Sequence, residues 1–168
     1  MAIEAPAPAP MRMGLAAGVT FGVVLLVIGF LALGAALGLV PLYAGFLLLW
    51  YFASIDMLEP NALPALAAGA VGGALTAWLL QQGVLAWGPA GALPAVAVII
   101  IAIFLQLRGV LPIMINRAYM LYVTVMAAPL LQQHEAFDRV LMTIAAATVY
   151  FGGIVWLGRR FLAKRKAG

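Results

Sequence analysis

Long runs of apolar residues, separated by short polar or Gly/Pro-rich breaks, dominate the chain from residue 14 to residue 158. A helix needs ~20 apolar residues to cross ~30 Å of hydrocarbon, so runs of this length are typical of membrane spans. The pattern therefore predicts an all-α, polytopic membrane protein with about six transmembrane segments, two of them short. The predicted segments lie at about 14–38, 41–54, 62–87, 93–107, 112–131 and 137–158.

The second predicted segment, PLYAGFLLLWYFAS, holds 14 residues, which would extend over only ~21 Å as a helix. A helix of that length does not cross a full bilayer unaided. Two arrangements therefore stay open. One has six spans, and the other has four spans with the short segments as re-entrant hairpins. Both arrangements place the two termini on the same side of the membrane.

The two ends of the chain differ from this apolar middle. Residues 1–13 alternate Ala and Pro, which predicts an extended, disordered tail. A secretory signal peptide is the competing interpretation, but the apolar run that follows exceeds the usual ~7–15 residues, so we interpret it as a membrane anchor. Residues 14–158 then form the transmembrane domain, and residues 159–168 form a basic cytoplasmic tail.

Composition and charge agree with a membrane protein and orient it. Hydrophobic residues make up 67% of the chain and charged residues only 8%, against about 25% charged residues in a soluble domain. Five of the nine basic residues fall in the last ten positions. Because cytoplasmic loops carry an excess of Lys and Arg, we expect a multi-pass protein of the inner (plasma) membrane with both termini cytoplasmic. The lipid bilayer is the expected partner, and no pattern typical of nucleic-acid binding is present.

An internal repeat is suggested by two similar turns. Gly38-Leu39-Val40-Pro41 and Gly109-Val110-Leu111-Pro112 each precede a short segment, at an offset of 71 residues. With this offset Tyr51 aligns with Tyr122, and two three-span units align at about 22–87 and 93–158. A unit with an odd number of spans reverses its orientation when repeated, which is the inverted-repeat plan of many transporters.

Arg117 is the candidate functional residue, because it lies inside a run otherwise built for lipid. If the fifth helix began near Gly109, Arg117 would lie ~12 Å along it, close to the middle of the bilayer. A guanidinium there suits a carboxylate or phosphate, with Asn116, Tyr119 and Tyr122 adding polar groups. The alternative is that residues 108–117 lie at the cytoplasmic surface and that the arginine reaches the headgroups.

Asp56 completes the candidate substrate-binding set, because it follows the matching short segment on the same predicted side. Asp56 or Glu59 is also the expected ion-pair partner of Arg117. His134 lies among the polar residues QQHEAFD, which we interpret as a solvated loop rather than a metal site. The chain has no cysteine, and no catalytic, metal-binding or cofactor-binding motif is visible. We therefore expect neither an enzyme nor a bound cofactor or metal.

The residues Ala44-Gly45-Phe46-Leu47 and Tyr51-Phe52-Ala53 resemble a signature, AGFL…YFA, of small bacterial inner-membrane proteins that share a domain of unknown function. The resemblance covers about residues 40–90. More distantly, a six-span block with a proline-started second segment is similar to one half of the fusaric-acid-resistance and aromatic-acid exporters. That similarity would imply export of small organic acids.

These observations favour a transporter or channel for a small solute, with an organic anion as the expected class. A three-helix unit encloses little space, so we also expect a homo-oligomer, a dimer or trimer. Gly14, Gly18 and Gly22 form a stripe on the first span that would suit such a contact. The alternative is a non-transporting membrane subunit or scaffold that packs with itself or with a partner membrane protein.

Overall fold

A computed structural model describes residues 12–167 of the chain, apart from the side chains of Leu130 and of residues 165–167. Over this range the protein is all-helical and contains no strand. Most of the Ala/Pro tail therefore lies outside the described residues. Two short 3-10 turns, Pro60–Ala62 and Gly88–Ala92, precede α3 and α4. The helices are α1 (Met13–Leu37), α2 (Leu42–Ser54), α3 (Leu63–Trp87), α4 (Leu93–Leu107), α5 (Arg117–Met126), α6 (Pro129–His134) and α7 (Phe137–Ala167).

Three helical stretches are long and apolar enough to cross a membrane: Met13–Leu37, Pro60–Leu107 and Phe137–Lys164. The second of them contains both α3 and α4, which are joined by the 3-10 turn Gly88–Ala92. The chain turns back there, so this stretch forms two antiparallel helices. At this turn Gly83 and Gly91 lie so close that a Cβ on either would overlap the backbone of the other. The shorter helices α2 and α5 have 13 and 10 residues. The fold class is thus confirmed as an all-helical membrane protein with two short segments.

Helix α3 lies at the centre of the bundle and packs against α2, α4, α5 and α7. Its buried positions are mostly Gly and Ala, which allow neighbouring backbones to approach closely. At Gly73, an added Cβ would lie 2.5 Å from the Tyr119 carbonyl oxygen, 2.8 Å from the Tyr122 Cβ and 2.9 Å from the Val123 nitrogen, all on α5. Small residues on α3 therefore fix the position of α5.

Helix α1 packs on the bundle through its second half only. Phe30 and Gly34 are its buried residues, and the Phe30 ring contacts Phe151 on α7 with ring centroids 4.9 Å apart. The Tyr150 hydroxyl also donates to the Leu26 carbonyl at 3.1 Å. By contrast, a Cβ added at any of the three glycines of the N-terminal stripe would meet nothing within 4 Å. The first half of α1 therefore has no packing partner within the described chain.

Contacts between distant loops define the two ends of the bundle. At one end, which we call the basic end, Arg159 near the end of α7 pairs with Glu59 in the loop before α3. At the opposite end, Arg139 in the first turn of α7 donates to the Gly38 carbonyl at the end of α1. These contacts place the two loops at opposite ends of α7, as expected if successive helices alternate in direction. Arg12, at the start of α1, then lies at the basic end.

The fifth and sixth predicted segments differ from the structure at their boundaries. The helix expected at about 112–131 is split into α5 and the six-residue α6. It begins at Arg117 because Gly109 and Leu111 both adopt positive φ angles, 66° and 54°, which end the preceding helix and turn the chain. The last helix continues past the predicted end at residue 158 as far as Ala167. Arg, Lys and Leu in that tail are good helix formers, and Gly158 alone does not stop the helix.

Candidate functional site

Asn116 caps the first turn of α5. Its Oδ1 accepts hydrogen bonds from the backbone N–H groups of Ala118 and Tyr119, at 3.0 and 3.1 Å. Its Nδ2 donates to the carbonyl of Ala65 at 2.7 Å and to that of Ile113 at 3.0 Å. This side chain therefore both starts α5 and ties it to α3. Ala65 is the third residue of α3, so Asn116 lies within about one turn of the start of α3.

Arg117 is the first residue of α5 and is exposed. The expected depth of Arg117 assumed a helix that began near Gly109. Because α5 begins at Arg117 itself, this residue does not lie eight residues along a helix. It lies instead at the basic end of the bundle, beside the cap residue Asn116. Its charge and that of Asp56 both act on the hydroxyl of Tyr51, so the three groups belong to one region.

The ion pair expected between Arg117 and Asp56 or Glu59 does not form. Among the side chains that the structure describes, the one ion pair joins Glu59 to Arg159, with Oε1 and Nη2 2.9 Å apart. The hydrogen bond from Arg159, together with its charge, lowers the pKa of Glu59 from its ordinary value. This pair was not among the contacts expected from the sequence. Arg159 and Glu59 were both placed on the same side of the membrane, and that placement was the available signal.

Tyr119 and Tyr122 are buried, and both hydroxyl groups have partners. The Tyr119 hydroxyl lies 2.8 Å from the Thr76 hydroxyl, which in turn donates to the Gly72 carbonyl at 3.0 Å. The Tyr122 hydroxyl donates to the Ala44 carbonyl at 2.6 Å and so joins α5 to α2. In this structure the two tyrosines link helices within the core.

Asp56 lines a small cavity at the basic end, between the end of α2, the start of α3 and the segment before α5. The cavity has a volume of about 110 Å³. Burial raises the pKa of Asp56, because desolvation disfavours the charged carboxylate. The lining brings two predicted site residues together with Tyr51, which the sequence analysis had not placed in the site. The lining residues are Tyr51, Asp56, Ala62, Ala65, Leu66, Pro112 and Asn116.

The opposite end is held by two glutamines. Gln81 on α3 donates to the carbonyls of Gln132 and Glu135, at 2.8 and 3.0 Å. Gln132 donates in return to the Ala77 carbonyl at 3.0 Å. Residues 132–134 of the predicted polar loop therefore belong to α6, which is fastened to α3. Burial raises the pKa of Glu135. No group of three or more His, Asp or Glu side chains suited to a metal ion occurs among the described residues.

Comparisons with known proteins add no family: no protein-family model, no curated protein and no solved structure matches the chain.

Proposed function

We propose that the protein carries a small solute across the membrane, using its two three-helix units as an inverted pair. The observation that carries the proposal is the match between the turns that precede the two short helices. Gly38 and Gly109, 71 residues apart, end α1 and α4 in the same left-handed conformation, with φ of 64° and 66°. Matching short segments in two halves are the feature that points to a transporter's binding site.

The hydrogen bonds of the two turns follow the same register. The Leu39 N–H donates to the Gly34 carbonyl at 2.8 Å, and the Val110 N–H donates to the Leu105 carbonyl at 2.9 Å. Donor and acceptor are each shifted by the same 71 residues. Glycine often ends a helix in this way, so one such turn carries no information. The shared offset supports a repeat, because it also aligns the helices that follow.

The packing of the helices agrees with the same repeat, in which each helix of one unit corresponds to a helix of the other. The offset relates α1 to α4, α2 to α5 and α3 to α7. Under this exchange the packing of α2 against α7 corresponds to the packing of α5 against α3, and both contacts are present. The short helices also touch each other through the Tyr122 hydroxyl and the Ala44 carbonyl. The two units therefore meet at the middle of the bundle.

The cavity beside Asp56 is the proposed opening for the solute. It lies at the basic end, next to the start of α5, and the exposed Arg117 lies near it. Arg117 has no ion-pair partner among the described side chains, so its guanidinium is free to meet a small organic anion. Beyond the cavity the core is packed by Leu48, Phe52 and Tyr122. Passage therefore requires α2 and α5 to separate.

Cysteine labelling tests this proposal, since the native chain has no cysteine. Single cysteines at Pro112 in the cavity and at Ala44 and Leu48 in the core would be treated, from each side of the membrane, with a polar thiol reagent. We expect labelling at Pro112 from one side. At the core positions we expect slow labelling, with a rate that changes when a transported carboxylate is added. Val149, whose side chain is 77% exposed on the outer surface of α7, is the control that should face lipid and stay unlabelled.

Proteoliposomes loaded with small carboxylates supply the second half of the test. Uptake above that of protein-free liposomes, and its loss in Arg117→Gln, is the expected result. Core cysteines that stay unlabelled from both sides, together with no uptake of any carboxylate, would contradict transport.

A second candidate function is favoured by the exposed first half of α1. A helix face of small residues without an internal neighbour suits a contact with another membrane helix. On this proposal the protein is a membrane subunit or scaffold that associates with itself, as a dimer or trimer, or with a partner. Gly18→Leu should then lower the oligomer size in lipid nanodiscs, whereas Gly153→Leu, at another open glycine position, should not.

A further inference from the structure

An apolar groove runs between α4 and the start of α5, and its lining neighbours that of the Asp56 cavity along residues 112–116. Its volume is about 300 Å³. The floor is formed by α3, and one wall by α4, where Val98 and Ile101 remain 39% and 56% exposed. The groove is therefore open toward the bilayer. The lining residues are Gly72, Leu75, Thr76, Val98, Ile101, Ala102, Leu105, Met114, Ile115 and Tyr119.

The polar groups of this groove are already satisfied. Thr76 and Tyr119 supply its side-chain hydroxyls, and these bond to each other and to the Gly72 carbonyl. An occupant of the groove therefore does not need to supply hydrogen bonds to these side chains. From Val98 to Leu105 it follows α4 for seven residues, or ~10 Å. A hydrocarbon chain matches this chemistry and shape.

Two arginines stand at the basic end of the groove. Arg108 follows Leu105 by one turn at the end of α4, and Arg117 lies two residues from Ile115 and from Tyr119. Both are exposed, and neither forms an ion pair with a described side chain. The stretch from α4 to α5 contains no acidic residue. Asp56 lines the neighbouring cavity together with Pro112 and Asn116.

We propose that this groove binds an anionic phospholipid, with one acyl chain in the groove and the headgroup phosphate between Arg108 and Arg117. Lipid tails surround the protein everywhere, so an apolar groove alone would not select a lipid. Selection comes from the headgroup, because basic residues between helices at the membrane surface attract anionic lipids. Lipid binding at this groove does not require solute transport and would occur in a scaffold as well, although Arg117 takes part in both proposals; Arg108 and the groove residue Val98 belong to the lipid site alone.

A second groove on the outer surface shows why the arginines matter. It lies between α1 and α7, has a volume of about 440 Å³ and is lined by apolar residues such as Leu33 and Val149 together with Tyr150. The arginine at that end of the bundle is Arg139, which is already bonded to the Gly38 carbonyl. This groove should accept lipid chains without preference for the headgroup, and it is the internal control.

Native mass spectrometry of the purified full-length protein in detergent tests the proposal, with phosphatidylglycerol and phosphatidylcholine of equal chain length. We expect one phosphatidylglycerol to bind at least tenfold more tightly than phosphatidylcholine. One arginine beside an anionic headgroup contributes about fivefold in affinity, so Arg108→Gln combined with Arg117→Gln should lower binding by about 25-fold. Arg12→Gln removes a charge from the same end, away from the groove, and should change nothing.

A variant that fills the groove separates a lipid from a free phosphate. Val98→Phe should lower phosphatidylglycerol binding with both arginines present, whereas Val149→Phe in the second groove should not. Competition by glycerol phosphate as strong as by the lipid would overturn the proposal, because the chain would then contribute nothing. Equal binding of the two lipids, or wild-type binding by the double arginine variant, would overturn it as well. Circular dichroism confirms that each variant is folded.

Discussion

The two short helices begin from the same turn but are started by different means. Gly38 and Gly109 place the chain in matching left-handed turns, and a proline follows three residues later in both. After Pro41 the helix α2 starts at once, at Leu42. After Pro112 the chain makes a further turn, and α5 starts only at Arg117.

The difference lies in which residues form hydrogen bonds with the backbone N–H and C=O groups at each turn. No side chain caps α2, and its turn is held from outside by Arg139 on α7, which donates to the Gly38 carbonyl at 3.1 Å. The start of α5 is held by its own cap, Asn116. Helix ends need such partners most where water does not reach them. The start of α5 is therefore locally determined, whereas the turn before α2 depends on a distant helix.

The largest effect should come from breaking the close contact that seats α5. Gly73→Leu places a side chain where the backbone of α5 already lies, and overpacking of this kind costs typically about 1–3 kcal/mol. We expect a loss of about 3 kcal/mol, measured as free energy of unfolding in bicelles. Gly45→Leu on α2 meets mainly the end of the Phe30 ring, which can shift more readily than a backbone, and meets the Ala147 Cβ only at 3.1 Å, so it should cost less. Equal losses at the two positions would show that α5 is not held more rigidly than α2.

Removing the cap tests the local start of α5 directly. Asn116→Ala leaves two backbone N–H groups and the Ala65 carbonyl without this partner, so we expect a loss of about 2 kcal/mol. Asn116→Asp keeps the accepting oxygen and should recover part of the loss. Asn61→Ala, an exposed asparagine in the turn before α3, is the matched control and should be neutral. A neutral Asn116→Ala variant would mean that α5 is started by its packing alone.

The same contrast explains what the sequence could predict. Apolar runs and their Gly/Pro breaks predicted the first four helices to within about a residue or two, because length and hydrophobicity dominate in a bilayer. The start of α5 was misplaced by the same rule, since residues 109–116 are as apolar as a span. Recognising Asn116 as a cap before Arg117 would have corrected it, because asparagine favours that position.

The candidate site was predictable in its region but not in its contacts. Asp56 and Asn116 were both named from the sequence, and the structure brings them to one cavity. Which polar side chains are already bonded is not visible in the sequence, since those bonds join residues 43 to 78 positions apart, as for Tyr119 with Thr76 and Tyr122 with Ala44. Burial of a tyrosine by itself does not separate a structural hydroxyl from one that meets a solute.

Breaking the turn before α2 should have a smaller effect. Arg139→Gln removes a charged donor from the Gly38 carbonyl, but the group is exposed to water that can replace it. We expect a loss of about 0.5–1 kcal/mol in the free energy of unfolding and faster hydrogen exchange at the Leu39 amide, which donates to the Gly34 carbonyl. Arg12→Gln, at another exposed arginine, should leave exchange at this amide unchanged. Loss of stability as large as that of Asn116→Ala would remove the distinction between the two starts.

The smallest effect should be a pH dependence of stability that has opposite signs at the two ends of the bundle. Arg159 lowers the pKa of Glu59 below its ordinary value of 4.5 in the folded protein. A lowered carboxylate pKa stabilises the folded state above the unfolded value, and this stability is lost as the pH falls through the folded value. Wild-type thermal stability should therefore decrease below about pH 4.5 more steeply than that of Glu59→Gln, and Arg159→Gln should behave as Glu59→Gln does.

Glu135, at the opposite end, has a pKa raised by burial, so its ionisation opposes folding as the pH rises. Glu135 therefore adds stability as the pH falls through its raised folded pKa toward 4.5, and Glu135→Gln should lack this gain. An identical pH dependence in all four proteins would show that neither end contributes through these groups.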